Sequence, residues 1–241
     1  MMTMTNKKFK ISSEAAYALA IITMAFAVSL CSASDMGLSM IAAPAFILSE
    51  KIGPLSFGQC EYIVQGALFV LFCLLMKKVR LIYFFSFLTG VIYGAVLDLM
   101  RKFIPFLNPE KMPPAETAFP LRLFFFAFGT VICALSVALF YVTYLYPMVY
   151  DFFAKYISIH FKVDRVLFKR LFDAGMLVLS LTLTLVFFRG FVGVGWGTIV
   201  TTIINGPIIG LFIKILEKKC EIKPSFNKLK DFFEGREEEN G

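Results

Sequence analysis

Histidine and tryptophan are almost absent from this sequence, with one residue of each among 241. Charged residues make up only 17% of the chain, and its five cysteines include no CxxC pair. Neither HExxH nor GxSxG occurs, so the common zinc-peptidase and serine-hydrolase arrangements are missing. With so few ligand-type side chains, we expect no enzyme activity, no metal site and no cofactor.

Apolar residues, in contrast, are abundant. They form 59% of the chain, with 29 phenylalanines, whereas a soluble domain is typically about 45–50% apolar. The mean hydropathy is +0.77. This composition indicates an integral membrane protein. The net charge of +7 comes from short basic clusters between the apolar runs, so we expect contacts with anionic lipid and no nucleic-acid partner.

Six segments provide the roughly 20 apolar residues that a transmembrane helix needs. They are 14–34, 57–76, 81–100, 121–146, 168–188 and 197–216. We therefore predict an all-α membrane protein with six transmembrane helices. The first could instead be a signal peptide cleaved near Ser32–Ser34, but its length favours a retained helix. Segments 36–53 and 146–161 are shorter and interrupted, which predicts helices in the interface or part-way into the bilayer.

The basic residues are unevenly distributed. With a cytoplasmic N-terminus, 17 Lys and Arg residues fall inside and 6 outside. The inside set includes Lys7, Lys8, Lys78 and Arg80. By the positive-inside rule, this predicts a multi-pass protein of the bacterial plasma (inner) membrane with both termini cytoplasmic. Residues 1–217 would form one membrane domain and 218–241 a charged cytoplasmic tail. An amphipathic helix over 226–233 is possible, but a solvated tail is slightly favoured.

The two halves of the membrane domain resemble each other. Residues 14–100 and 121–216 each contain a span, a short interrupted segment and two further spans, joined by the proline-rich linker 101–120. "TGVIYG" (89–94) in the first half matches "NGPIIG" (205–210) in the second. Three spans per half would give the halves opposite orientation, so we predict a 3+3 inverted repeat of the kind found in transporters.

Candidate site residues lie in the last span of each half. Asn205, Gly206 and Pro207 interrupt the sixth span, because proline removes a backbone hydrogen bond. They predict a broken helix whose freed polar groups could bind a solute, or a kink with close Gly206–Gly210 packing. We expect Gly90, Gly94 and Asp98 to lie opposite them.

Other polar residues in the spans have simpler explanations. Asp98 could instead pair with Arg101 at the end of its helix. Gln65 could form an interhelical hydrogen bond, and Asp173 could pair with Lys169 or Arg170.

Three short motifs point to a known family. "DMGLS" (35–39), "GVGWGTI" (193–199) and "NGPIIG" (205–210) resemble the YczE/YyaS/YitT family of bacterial membrane proteins. The resemblance covers roughly residues 15–217. That family commonly has Pro-Trp-Asp after its Gly-Leu-Ser, where this chain has Met40-Ile41-Ala42. The resemblance implies a bacterial inner-membrane protein and specifies no substrate.

These features favour a transporter or permease-like protein for a small solute, with its site at the repeat interface near the broken last helix. Its partners would be the lipid bilayer and that solute. One alternative is a membrane partner or regulator that does not transport and that docks a cytoplasmic protein through its basic loops. Another is the substrate-binding subunit of a multi-component transporter.

Overall fold

A computed structural model describes residues 9–77, 81–109 and 111–238. Six helices in this part of the chain are long and apolar enough to cross a membrane, which confirms the predicted all-α membrane fold. They are α1 (Ser13–Ser34), α3 (Phe57–Met76), α4 (Leu81–Phe103), α5 (Phe119–Tyr141), α7 (Arg165–Phe188) and α8 (Trp196–Lys219). The shorter helices are α2 (Ala43–Ile52), α6 (Val149–His160) and α9 (Asn227–Glu238).

Two short strands join the ends of the membrane domain. β1 (Phe9–Ser12) pairs in parallel with β2 (Cys220–Lys223), with Phe9 opposite Cys220. The start of α1 and the end of α8 therefore lie at one end of the bundle, as an even number of spans requires. We call this the strand end, and the opposite end, with residues 104–118, the loop end. Lys7, Lys8, Lys78 and Arg80, which entered the predicted charge asymmetry, lie outside the described residues.

Local capping explains where several spans begin. The Ser56 hydroxyl accepts the Gln59 amide N–H, and Gln59 Oε1 accepts the Ser56 N–H, which makes a capping box at the start of α3. The Asp164 carboxylate caps α7 by accepting the Leu167 N–H at 2.8 Å. These side chains satisfy amides that have no partner within their own helix.

Both interrupted segments fold back into the bundle. The Met40 carbonyl, just before α2, lies 3.5 Å from the Ser180 hydroxyl in the middle of α7. Before α6, the Pro147 carbonyl accepts the Ser86 hydroxyl of α4 at 2.7 Å. The side-chain hydroxyls thus satisfy backbone carbonyls where the chain is not helical, which a membrane interior requires.

The fourth predicted span is too long at its end. We predicted 121–146, but α5 ends at Tyr141 and residues 142–148 form the non-helical connection to α6. The Tyr146 carbonyl accepts the Tyr17 hydroxyl at 3.0 Å and the Thr89 hydroxyl at 3.3 Å. Apolar composition alone did not separate this buried connection from the helix before it.

Helix packing follows a crossed pattern. α1 and α5 form the central contact, with α4 against α1 and α8 against α5. The short helices cross between the halves: α2 packs on α7, and α6 packs on α3. The two halves of the chain differ in one packing contact. α3 and α4 pack side by side, whereas the described residues of α7 and α8 form no comparable contact.

The C-terminal tail packs against the helix bundle, whereas the sequence slightly favoured a solvated tail. The Glu14 carboxylate accepts the backbone N–H groups of Ser225 and Phe226 at 3.0 and 3.1 Å and the Tyr144 hydroxyl at 2.7 Å. On α9, Phe233 is 3% exposed and its ring lies 5.2 Å from that of Tyr146. Burial, together with the Glu14 hydrogen bond and charge, raises the pKa of the Tyr144 hydroxyl.

Candidate functional site

A cluster of three polar side chains lies inside the membrane domain. The Tyr150 hydroxyl donates to Glu61 Oε2 at 2.9 Å, and the Gln65 amide donates to the same oxygen at 3.1 Å. Each of the three residues is at most 3% exposed. We call Glu61, Gln65 and Tyr150 the Glu61 cluster. It connects α3 of the first half to α6 of the second.

Helical spacing and one glycine position this cluster. Glu61 and Gln65 are four residues apart, so both side chains lie on the same face of α3. Tyr150 comes from the first turn of α6, where the chain has folded back into the bundle. On α4, a Cβ added at Gly90 would lie 2.1 Å from Gln65 Oε1, so any larger residue there would require the Gln65 amide to move from its position in the cluster.

The Glu61 carboxyl has neutral partners only. Within the described residues, its hydrogen bonds come from Tyr150 and Gln65, and no Lys, Arg or His is paired with it. An ionised carboxylate in a low-dielectric interior is costly unless it is paired with a charge or a metal. Such residues within transmembrane segments are generally functional rather than structural.

A cavity of about 340 Å³ opens at the strand end of the bundle. We call it the strand-end vestibule. Its walls come from the connection before α6, from α6 itself and from the docked tail; the polar and aromatic lining includes Tyr144, Tyr146, Asp151, Lys155, Arg165 and Phe233. Asp151 of this lining follows Tyr150 of the Glu61 cluster in the chain, but Tyr150 itself does not line the vestibule.

A second cavity, of about 680 Å³, opens at the loop end, and we call it the loop-end vestibule. It is lined by Ser56, Phe57, Asp98 and Arg101, among others. Asp98 accepts the Ser56 hydroxyl and the Gly58 N–H, the latter at 2.8 Å, so it stabilises the positive N-terminal end of α3. Arg101 lies over the Phe57 ring, 5.4 Å from its centroid.

An ion-paired group lies beside the strand-end vestibule. Lys169 Nζ of α7 is 3.0 Å from Asp151 of α6 and 3.0 Å from Asp173. The predicted pairing of Asp173 with Lys169 is therefore confirmed. Because this lysine bridges two helices, the carboxylates here have a basic partner, unlike Glu61.

The six predicted site residues do not come together. Gly90, Gly94 and Asp98 lie on the face of α4 that packs against α3, whereas Asn205, Gly206 and Pro207 belong to α8, which packs against α5. Among the described residues, α4 and α8 form no substantial packing contact, so the structure does not bring these two groups of residues together. Asn205 Oδ1 is buried and has no hydrogen-bond partner in the described part of the chain.

The last span also differs from its prediction. α8 is one continuous helix from Trp196 to Lys219 with Pro207 inside it, so it is not broken. Close packing at Gly206 and Gly210 was expected, but a Cβ added at either would meet nothing within 4 Å. Close packing exists in the first half instead, where a Cβ at Gly94 would lie 2.5 Å from the Tyr62 ring.

The motifs behind the family resemblance contact each other. The Leu38 N–H donates to the Gly193 carbonyl, and the Gly197 N–H donates to the Met36 carbonyl, both at 2.9 Å. A Cβ added at Gly197 would lie 2.5 Å from that Met36 oxygen. The glycines of "GVGWGTI" thus allow this loop to pack directly on "DMGLS".

Glu61 and Tyr150 were missed by sequence reasoning. A signal for Glu61 was present, because it is a carboxylate within an otherwise apolar span. Tyr150 carried no such signal: its role depends on the chain folding back before α6. Gln65 was singled out, but its hydrogen bond is to Glu61 on its own helix rather than to another helix.

The six apolar helices and the buried polar cluster define this chain as a polytopic membrane protein. Its sequence matches a family of unknown function, DUF6198, over residues 11–214, and it belongs to that family. No curated protein and no solved structure matches the chain.

Proposed function

We propose that this protein is a secondary transporter of a small solute and that the Glu61 cluster lies on the solute route. The observation that carries the proposal is the buried Glu61 carboxyl, to which Tyr150 of the opposite half donates a hydrogen bond. The proposed route joins the strand-end and loop-end vestibules, which open at opposite ends of the bundle. Glu61 lines neither vestibule, so the route is closed at the cluster. Transport would require the contact between α3 and α6 to open towards each side in turn.

The exchange of short helices between the halves supports this mechanism. α2 of the first half packs on α7 of the second, and α6 of the second half packs on α3 of the first, which is the equivalent helix. Such reciprocal contacts are those expected of an inverted repeat, in which one half rocks against the other around a central site. We therefore retain the 3+3 repeat as part of the proposal, with halves 14–100 and 121–216 and linker 101–120.

The site we propose differs from the one expected from the sequence. The Glu61 cluster is buried between the halves, whereas Gly206 and Gly210 face open space on α8. Gly90 keeps a role, because it allows α4 to approach Gln65. Asp98 contributes to the loop-end vestibule and orients α3.

The cellular setting is part of the same proposal. We place the protein in the bacterial inner membrane with the strand end in the cytoplasm, because basic residues concentrate there. A relationship to the YczE/YyaS/YitT family remains part of the proposal and rests on the three sequence motifs, two of which contact each other in this fold. An enzyme activity is not proposed.

The proposal can be tested with the full chain in lipid vesicles. Vesicles with and without the protein would be screened for uptake of labelled organic anions, organic cations, amino acids and sugars. We expect one class to be taken up only with protein and to saturate with concentration. Saturable uptake of no class would contradict the proposal. Stoichiometric co-purification of an ATPase would identify the multi-component alternative, and that of another soluble protein would favour the regulator.

A further inference from the structure

The chemistry of the Glu61 cluster indicates what neutralises its charge. Glu61 is 1% exposed, and its partners in the described residues are a phenol and an amide. A carboxylate in such a position needs a proton or a bound cation. The remaining question is which of the two these side chains can accommodate.

Gln65 provides the first answer. Its amide N–H donates to Glu61 Oε2, while its Oε1 is buried with no hydrogen-bond partner in the described part of the chain. Buried polar atoms without partners are rare in native structures. A protonated Glu61 needs an acceptor for its O–H group, and Gln65 Oε1 provides one after rotation of the amide. The same side chain therefore has a donor for the charged form and an acceptor for the neutral form.

The packing gives the second answer. A metal cation in a protein exchanges its hydration water for several oxygen ligands. Here only Tyr150 and Gln65 contact the carboxyl, at hydrogen-bond distances of 2.9 and 3.1 Å. Gly90 of α4 lies directly against Gln65, because a Cβ added at Gly90 would be only 2.1 Å from Gln65 Oε1. A proton fits this site without displacing a side chain.

We propose that Glu61 is a proton-binding site whose loading and release couple solute movement to a proton gradient; this rests on the proposed function. In the loading step, the Glu61 carboxylate forms an O–H bond with a proton from hydronium in one vestibule and leaves water behind. In the release step, that bond breaks and the proton passes to water in the other vestibule. No electrons are transferred and no further reactant is needed.

Several titratable groups surround Glu61, and the nearest carboxylates on α4 and α6, Asp98 and Asp151, have hydrogen-bond or ion-pair partners of their own. On α4, Tyr93 faces the cluster, and Asp98 lies further on, where it accepts from Ser56 and Gly58. On α6, Asp151 follows Tyr150 and is paired with Lys169.

The third neighbour of α3 is α2, which carries its charges, Glu50 and Lys51, at its loop-end terminus; Lys51 donates to the Phe187 carbonyl. Within the described residues, Glu61 is thus a fully buried carboxyl without a charged partner, and its charge depends on a proton or an external cation.

Infrared spectroscopy tests the assignment independently of any solute. Spectra of the full chain in lipid vesicles would be recorded across a pH series. We expect a carboxylic acid C=O band that grows as the pH falls, is absent in Glu61→Gln and is kept in the exposed control Glu116→Gln. Gln65→Leu should move the band, because it removes the acceptor. An unchanged band in Glu61→Gln, or a band abolished by Na⁺ at fixed pH, would overturn the proposal.

Two further readouts keep the conclusions separate. If Glu61→Gln does not yield folded protein, the test uses Gln65→Leu and Glu61→Asp, and we expect each of them to shift the carboxylic acid band. A band that stays at its wild-type position in both variants contradicts the assignment. A Glu61 band without any solute uptake would support the proton site and contradict the transporter. Saturable uptake that is independent of pH and of Glu61→Gln would do the opposite.

Discussion

Tyr150 donates a 2.9 Å hydrogen bond to Glu61, although 89 residues separate the two in the chain. The bond exists because residues 142–148 fold back into the bundle and α6 begins against α3. It is a buried polar contact between the two halves of the membrane domain. Its energetic and functional consequences can be tested one residue at a time.

Removing the Tyr150 hydroxyl should destabilise the protein. Tyr150→Phe keeps the ring but leaves Glu61 with one donor fewer, so we expect a loss of about 1–3 kcal/mol in the free energy of unfolding. The effect should shrink in a Glu61→Gln background, because the two residues share one interaction. Denaturant unfolding in detergent measures both.

Tyr62→Phe is the matched control, since its hydroxyl makes no hydrogen bond within the described residues and it neighbours Glu61 on α3. We expect a change within about 0.5 kcal/mol for this variant. Equal effects of the two substitutions would show that the Tyr150–Glu61 bond contributes nothing specific.

Glycines at matching positions of the "TGVIYG" and "NGPIIG" segments should respond oppositely to alanine. A Cβ at Gly94 would lie 2.5 Å from the Tyr62 ring and 2.8 Å from the Gly58 carbonyl, so Gly94→Ala should cost roughly 1–3 kcal/mol. A Cβ at Gly206 or Gly210 would meet nothing within 4 Å. Gly206→Ala and Gly210→Ala should be neutral or should stabilise by up to about 1 kcal/mol. Melting temperatures of the three variants test this prediction. An equal decrease in melting temperature in all three would contradict the packing described for these glycines.

This asymmetry shows what the sequence could and could not predict. Each span was identifiable because about 20 apolar residues have few alternatives to a membrane helix. The glycine patterns at 90 and 94 and at 206 and 210 look alike, yet only the first pair is packed. Packing depends on which helix lies opposite, and neither composition nor spacing contains that information.

The site was predictable only in part for a related reason. Gln65, Gly90 and Asp98 were recognisable as polar or small residues within spans, and all three lie near the α3–α4 contact. The hydrogen bond of Gln65 to Glu61 is local to α3, but the contact of Tyr150 with Glu61 depends on the fold-back before α6. Asn205 attracted attention through Pro207, but a proline within a transmembrane helix is tolerated without a break when its surroundings satisfy the freed carbonyl.

Docking of the tail on the helix bundle should depend on the Phe233 side chain. We expect Phe233→Ala to release α9 from Phe85 and Tyr146 and to speed trypsin cleavage after Lys228 by about tenfold or more, because local opening becomes easier. Phe226→Ala is the control, since that side chain is 64% exposed. Cleavage that is equally slow in both variants would show that the Phe233 contact does not hold the tail.

The contact between the two motif loops should tolerate no side chain at Gly197. A Cβ there would lie 2.5 Å from the Met36 carbonyl and 2.6 Å from the Phe126 ring, so Gly197→Ala should lower the free energy of unfolding by about 1–3 kcal/mol. At Gly190 the nearest atom would be 3.8 Å away. Gly190→Ala should therefore melt near the wild-type temperature, and a wild-type melting temperature for Gly197→Ala would argue against the contact.

Orientation in the membrane is open to direct measurement. β1 and β2 bring the start of α1 and the end of α8 to one side. From the charge asymmetry we propose that this side faces the cytoplasm. A green fluorescent protein fused after Gly241 should fluoresce, and a cysteine introduced at Glu116 should react with an impermeant reagent added to intact cells. A dark fusion together with an unreactive Glu116→Cys would reverse the orientation.

The most direct test concerns Glu61 during transport. Uptake of the solute found by the vesicle screen would be measured with and without an imposed pH gradient, for wild type, Glu61→Gln and Glu116→Gln. We predict that the gradient accelerates uptake by wild type and Glu116→Gln, and that Glu61→Gln loses uptake while remaining folded. Gradient-driven uptake by Glu61→Gln at the wild-type rate would contradict the central role of the Glu61 cluster.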